Sequence, residues 1–124
     1  MHPLRFLALP AFLLGCAGAV AAAPLSEIVP LKGGAAYLLD HDDARPPLAA
    51  LVLFTGGNGA VDLRGKGVPK PGANFLVRTR AAFVADGLAT AVFDPPSPLT
   101  DGMRMGAGHA ADVGELLDDL QRRF

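Results

Sequence analysis

The most distinctive chemistry in this sequence is a glycine-rich stretch that directly follows an apolar run. Residues 48–54 are continuously apolar, and residues 55–59 then read Thr-Gly-Gly-Asn-Gly. Small residues let the backbone turn sharply and point several N–H groups at one spot. Such a group of amides suits an anionic oxygen, either a phosphate or the oxyanion that forms during acyl transfer. A simple turn after a strand is the alternative interpretation.

Common cofactor and metal motifs are absent. No Gly-Lys-Ser/Thr closes the loop as a Walker A motif requires, and the glycine spacing departs from G-x-G-x-x-G. One Cys is too few for a Cys-based zinc cluster. His41 lies among aspartates, which is typical of a charged turn as well as of a metal site. We therefore predict neither a cofactor nor a metal.

The charge balance excludes a nucleic-acid partner that is held by bulk charge. The 124 residues contain 11 Lys+Arg and 12 Asp+Glu, so no basic excess is present to neutralise phosphates. Aromatic residues make up 6% with no Trp, which disfavours a base-stacking surface. Hydrophobic residues make up 51%, too many for a disordered chain.

Residues 1–23 have the pattern of a secretory signal peptide. A weakly basic start precedes an apolar run at residues 6–14, and Ala-rich cleavage options follow at residues 21–23. The apolar run is too short for a membrane span. A buried N-terminal helix is the alternative, against which Pro10 argues. We predict an exported protein, periplasmic or secreted.

A second form of processing involves the single cysteine. Residues 13–16 read Leu-Leu-Gly-Cys, which resembles a bacterial lipoprotein cleavage box in which Cys16 becomes lipid-modified. Ordinary cleavage at residues 21–23 is the preferred interpretation. Either product leaves the cytoplasm, and after ordinary cleavage no Cys remains, so the fold must rely on its core alone.

Strands and helices alternate along the rest of the chain. Residues 24–47 predict an extended lead-in with a short edge strand, and residues 48–124 predict the main domain. Its predicted elements are two strands buried on both faces (48–54 and 88–93) and two helices (75–86 and 109–124). This alternation predicts an α/β layer with parallel strands and crossover helices.

The first predicted helix has clear ends and one unusual residue. Asn74 is a good N-cap and Gly87 a good stop. Arg80 falls on the apolar side of an ideal helix. Either its long side chain reaches solvent, or it is partly buried beside an anionic partner.

The glycine loop and the elements after it resemble exported bacterial α/β-hydrolases. Residues 50–59 are similar to the third strand and oxyanion-hole loop, with Thr55 where many lipases and esterases carry a His. Residues 74–94 and 109–124 are similar to the elements that precede the nucleophile strand. The resemblance implies part of an α/β-hydrolase-like sheet and hydrolysis of an ester or related acyl substrate. The oxyanion-hole candidates are Gly56, Gly57, Asn58 and Gly59.

The sequence departs from that family in its nucleophile. No G-x-S-x-G occurs, and the only serines are Ser26 and Ser97, the latter among prolines. His109 shares a helical face with apolar residues, which favours packing over catalysis. Asp94 at a strand end could form a turn or carry function. We predict no catalytic residue in this chain.

Two functional hypotheses follow, from different classes. The first is an inactive N-terminal fragment of an exported α/β-hydrolase, truncated before the nucleophile. The second is a small exported binding module that uses residues 56–59 for an anionic ligand. A lipid-anchored structural protein, held through Cys16, is a third and weaker hypothesis.

Overall fold

A computed structural model describes residues 24–69, 74–100 and 102–124. The predicted signal peptide, including Cys16, lies outside the described residues. The described residues form a four-stranded sheet in the spatial order β1-β2-β4-β3. In chain order the strands are β1 Leu25–Pro30, β2 Ala36–His41, β3 Ala50–Phe54 and β4 Ala89–Asp94. The helices are α1 Leu63–Lys66, α2 Phe75–Ala85 and α3 Ala107–Arg123, with a 3₁₀ turn at Met103–Met105.

The sheet is mixed, so the parallel arrangement predicted for the strands at residues 48–54 and 88–93 holds for that pair but not for the whole sheet. Only β3 and β4 pair in parallel, whereas β2 pairs antiparallel with both β1 and β4. The physical reason is a tight turn between β1 and β2, in which the Gly34 amide donates to Leu31 O at 3.1 Å. Strands joined by so short a turn must run antiparallel, while β3 and β4 are joined through α2 and can run parallel.

The positions of two strands in the sheet also differ from the prediction. The strand that was expected at the edge is β2, which lies between β1 and β4 and is buried except at His41. The strand that was expected to be buried on both faces is β3, in which only Leu53 is buried and Phe54 is 38% exposed. Among the described residues β3 pairs with β4 alone, which explains its exposure.

The sheet separates two apolar cores, one on each face. Tyr37 and Leu39 of β2 pack in the same cluster as Leu116 and Leu120 of α3. The alternate residues of these strands lie on the other face of the sheet, against α1 and α2. There Ala36, Leu38 and Val92 cluster with Leu63 and Val77. Because side chains alternate along a strand, β2 and β4 supply both cores at once.

The two predicted helices are confirmed, with small changes at their ends. The Asn74 side chain accepts a hydrogen bond from the Leu76 amide at 3.0 Å, so it caps α2 as predicted. Gly87 follows the helix with φ 86°. The second helix begins at Ala107 and ends at Arg123. Within the described part of the chain, no helix is both long enough and apolar enough to cross a membrane.

Arg80 is partly buried beside an anionic partner. Its Nε lies 2.6 Å from Asp40 Oδ2, and the two side chains are only 16% and 3% exposed. Arg80 Nη1 also donates to Val77 O at 2.6 Å, and the Ser26 hydroxyl donates to Asp40. A buried charge is costly without its partner, so this pair fixes α2 against β2.

A second polar contact fixes α3 against the other face. The buried Tyr37 hydroxyl donates to the Asp119 carboxylate, which also accepts from Arg123 Nε at 2.7 Å and Arg122 Nη2 at 3.0 Å. The Tyr37 hydrogen bond, followed by those from the arginines, lowers the pKa of Asp119. Burial, followed by the bond to Asp119, raises the pKa of Tyr37 far above its ordinary value.

We expect Asp119→Asn to lower the free energy of unfolding by about 1–3 kcal/mol near neutral pH, because it weakens several charge-assisted hydrogen bonds. The folded-state pKa of Asp119 is lowered, so its stabilisation is present above the unfolded pKa of about 4 and is lost as pH falls through the folded value. Urea denaturation from pH 7 to pH 2 should therefore show a smaller acid loss in the variant than in the parent chain.

Asp118→Asn is the matched control, since it removes the same charge from the exposed neighbouring position. Equal losses of stability in the two variants would contradict an anchoring role for Asp119.

Candidate functional site

The glycine turn lies where ligands are commonly bound in α/β sheets. It follows β3 directly, at the carboxyl end of the parallel pair β3–β4. The Gly59 amide donates to Gly56 O at 3.2 Å and closes the turn. Gly57 has φ 63°, a left-handed conformation that costs a residue with a side chain roughly 1–2 kcal/mol. The backbone therefore favours glycine at position 57.

Side chains of the turn itself hold it in shape. Thr55 is buried, and its hydroxyl donates to Gly59 O at 2.7 Å. The Asn58 side chain accepts from the Ala60 amide at 3.1 Å. The main-chain carbonyl of Asn58 accepts from the Leu99 amide at 2.8 Å, which ties the turn to the loop after β4. Thr55 is thus a support of the turn.

Arg104 provides a support that sequence reasoning missed. Its Nη2 donates to Gly57 O at 2.7 Å and to Thr55 O at 3.1 Å. A Cβ atom placed on Gly59 would lie 3.2 Å from the same Nη2, so this glycine also permits the close approach of the guanidinium. No local pattern could have revealed Arg104, because it lies far along the chain in the 3₁₀ turn before α3.

The amides of the turn, unlike its carbonyls, are mostly without hydrogen-bond partners among the described residues. Of the four predicted candidates, Gly59 uses its N–H within the turn. The N–H groups of Gly56, Gly57 and Asn58 have no hydrogen-bond acceptor among the residues that the structure describes, and all three residues are exposed. An anionic oxygen is the natural ligand of such exposed amides.

Asp94 anchors the segment that follows the turn. Its carboxylate is 3% exposed and accepts from the amides of Val61 at 2.7 Å, Asp62 at 3.1 Å and Leu63 at 2.8 Å. These bonds include the first amide of α1, whose N-cap residue Asp62 makes no side-chain capping bond. The sequence left open a local turn and a functional role for Asp94; in the structure its carboxylate organises the backbone of residues 61–63.

The remaining sequence candidates do not form a catalytic group. The His109 ring packs edge-on against Phe93 at 5.2 Å and lies 6.1 Å from the Phe54 ring, which agrees with the packing interpretation. The Ser26 hydroxyl donates to Asp40 in another part of the sheet. Ser97 and His109 both line an open cavity of about 380 Å³ beside α3, but no hydrogen bond joins them in the described structure.

The acidic turn around His41 is a structural turn. The Asp42 carboxylate accepts from the Ala44 amide at 2.9 Å and pairs with Arg45 at 2.9 Å. The bond from Ala44, followed by that from Arg45, lowers the pKa of Asp42. The His41 ring contacts Phe124 edge-on at 5.5 Å. No group of three His, Cys, Asp or Glu residues in the described ranges is arranged to hold a metal ion.

No protein-family model matches this sequence, and neither a curated protein nor a solved structure matches it. The resemblance to α/β-hydrolases therefore stays a prediction from the residues themselves.

We expect Asp94→Asn to destabilise the fold by roughly 1–3 kcal/mol, because an amide cannot accept from three backbone N–H groups as a carboxylate does. Chemical denaturation measures the loss, and amide hydrogen exchange at Val61 and Leu63 should locate it.

Asp62→Asn is the matched control at the adjacent exposed carboxylate. Asn tolerates the left-handed backbone at this position, where φ is 64°, so the change should stay within about 0.5 kcal/mol. Similar losses in the two variants would contradict the anchoring role of Asp94.

Proposed function

We propose that the turn at residues 56–58 binds an anionic oxygen, as the oxyanion-hole loop of an α/β-hydrolase-like protein that acts on esters or related acyl compounds. The observation that supports this proposal is the set of three exposed amides at the carboxyl end of the third strand. In α/β-hydrolases an amide of the loop after the third strand donates to the oxyanion.

The chemistry of acyl transfer explains what such a turn contributes. When a nucleophile attacks a carbonyl carbon, the carbonyl oxygen becomes negatively charged, and fixed N–H groups stabilise it. Each such donor is worth roughly 10²–10³ in rate. Because Thr55, Leu99 and Arg104 already hold the carbonyls of the turn, little reorganisation is needed when the charge forms.

Binding of an anionic small molecule without turnover is the second candidate function. The supporting observation is the absence of G-x-S-x-G from the sequence, together with Ser26 bonded to Asp40 and His109 packed among aromatic rings. The two candidates share the amides of residues 56–58 and differ in whether an ester is cleaved. We propose that this chain on its own binds and does not cleave.

Titration with phenylphosphonate tests the binding proposal, because its tetrahedral charged oxygens resemble the oxyanion intermediate. In ¹⁵N-edited NMR spectra of the purified chain we expect saturable shifts at Gly56, Gly57 and Asn58 at millimolar ligand, with smaller changes at Gly33 and Gly34 in the β1–β2 turn. Sodium chloride at matched ionic strength is the control. Uniform or absent shifts would contradict the proposal.

Gly57→Ala gives a variant that tests the same site. A Cβ atom there meets nothing within 4 Å, so the substitution acts only through the left-handed backbone and should weaken phosphonate binding severalfold. Gly114→Ala is the control, since its added Cβ also meets nothing within 4 Å but sits in helix α3.

An esterase assay separates the two candidate functions. We expect the purified chain to hydrolyse p-nitrophenyl acetate no faster than a buffer blank. Turnover well above the blank, abolished by Ser97→Ala or Ser26→Ala, would show that the chain holds a nucleophile of its own.

We also propose that the protein is exported, with β1 starting the mature fold. β1 begins at Leu25, directly after the predicted cleavage region at residues 21–23. Expression in a bacterium and intact-mass analysis of the periplasmic fraction should give a product whose N-terminus lies at residues 22–24. Palmitate labelling that disappears in Cys16→Ser would instead show the lipid-anchored form.

A further inference from the structure

We infer that Arg104 is a positioning residue of the proposed anion site, because its guanidinium orients the amides of Gly56 and Asn58. This inference rests on the proposed function of residues 56–58. It adds a specific residue, from a distant part of the chain, that presets the direction of two N–H donors before any ligand binds.

The argument follows from the planarity of the peptide unit. In a trans peptide the carbonyl of one residue and the N–H of the next point in opposite directions. The Gly57 carbonyl is bonded to Arg104 Nη2 at 2.7 Å, so the Asn58 N–H must point away from the guanidinium. The Thr55 carbonyl is bonded to the same Nη2 at 3.1 Å, so the Gly56 N–H points away from it as well.

The peptide between these two is fixed by the turn itself. The Gly56 carbonyl accepts from the Gly59 amide at 3.2 Å, which sets the direction of the Gly57 N–H. Arg104 therefore controls two of the three exposed amides, and the internal bond of the turn controls the third. Without the guanidinium, the Thr55–Gly56 and Gly57–Asn58 peptides would lose the contact that fixes their rotation.

The position of Arg104 is itself built into the fold. Its guanidinium lies against Gly59, where any Cβ would come within 3.2 Å of Nη2, and Leu99 Cδ1 is equally close to that point. The same loop region donates the Leu99 amide to Asn58 O at 2.8 Å. The segment between β4 and α3 thus donates hydrogen bonds to the carbonyls of Thr55, Gly57 and Asn58, so Arg104 is one of several contacts that hold the turn.

Phenylphosphonate titration of Arg104→Gln, Arg104→Lys and Arg45→Gln tests the inference. We expect the dissociation constant to rise about tenfold in Arg104→Gln, whose amide donors lie closer to the main chain than the guanidinium nitrogens and fall short of the turn, and less than threefold in Arg104→Lys, whose longer, charged side chain can still donate to a carbonyl. Arg45→Gln removes the same charge from the exposed β2–β3 loop, where Arg45 pairs with Asp42, and should leave the constant unchanged.

Residual dipolar couplings of the ligand-free proteins supply a readout that charge alone would not move. In Arg104→Gln the N–H couplings of Gly56 and Asn58 should change, while that of Gly57 should stay close to the parent value. Unchanged couplings beside weaker binding would overturn the inference in favour of a simple charge effect. Should Arg104→Gln fail to fold, Arg104→Lys decides: a loss of affinity below threefold with small coupling changes at Gly56 and Asn58 supports the inference, and any loss of affinity with unchanged couplings overturns it.

The inference and the proposed function fail differently. If the parent chain does not bind phenylphosphonate, the proposed function is wrong, and the couplings alone decide whether Arg104 orients the turn. If the parent chain binds phenylphosphonate and the Arg104→Gln and Arg45→Gln variants bind it with equal affinity, the proposed function stands and the role of Arg104 is overturned.

Discussion

The structure around the glycine turn depends on the hydrogen bonds that the Asp94 carboxylate accepts. This carboxylate is almost fully buried at the end of β4 and accepts from three consecutive amides at residues 61–63. Removing it would leave those donors without partners in a partly buried segment, which is costly. By satisfying them, Asp94 fixes where the chain leaves the glycine turn and where α1 begins.

Within the glycine turn, the carbonyl groups are hydrogen-bonded to described residues and most of the amide groups are not. The carbonyls of Thr55, Gly56, Gly57 and Asn58 are engaged by Arg104, Gly59 and Leu99. The amides of Gly56, Gly57 and Asn58 belong to exposed residues and have no acceptor among the described residues. Hydrogen bonds thus hold the carbonyls of the turn and leave these three amides without an acceptor among the described residues, which is the arrangement on which the proposed anion site depends.

Local features of the sequence predicted the local features of the fold. The cap at Asn74 and the apolar stripe of α3 depend on residues a few positions apart, so they could be recognised directly. The mixed sheet could not be recognised so easily, because strand direction depends on pairing. Gly33 and Gly34 do mark a tight turn, and attention to that signal would have predicted the antiparallel β1–β2 hairpin.

The candidate site also has one part that the sequence could predict and another that it could not. The glycine turn could be predicted because its residues are consecutive and follow an apolar run. The contacts of its supports could not be: Asp94 was recognised only by its place at a strand end and Arg104 not at all, because their partners lie thirty or more positions away. Arg80 shows the intermediate case: its place on the apolar face left open both a side chain that reaches solvent and a buried anionic partner, and the folded chain identifies that partner as Asp40.

The register of β2 connects these separate contacts. Tyr37 faces α3 and bonds to Asp119, while Asp40, three residues later and on the opposite face, pairs with Arg80 of α2. A shift of β2 by one residue would turn both anchors toward the wrong helix. Arg104 lies just before α3 on one face, and the glycine turn leads to α1 and α2 on the other. The two halves of the site can meet at the sheet edge only when both helices are correctly placed, and β2 also pairs Ala36 with Asp94, so the hairpin register constrains the site.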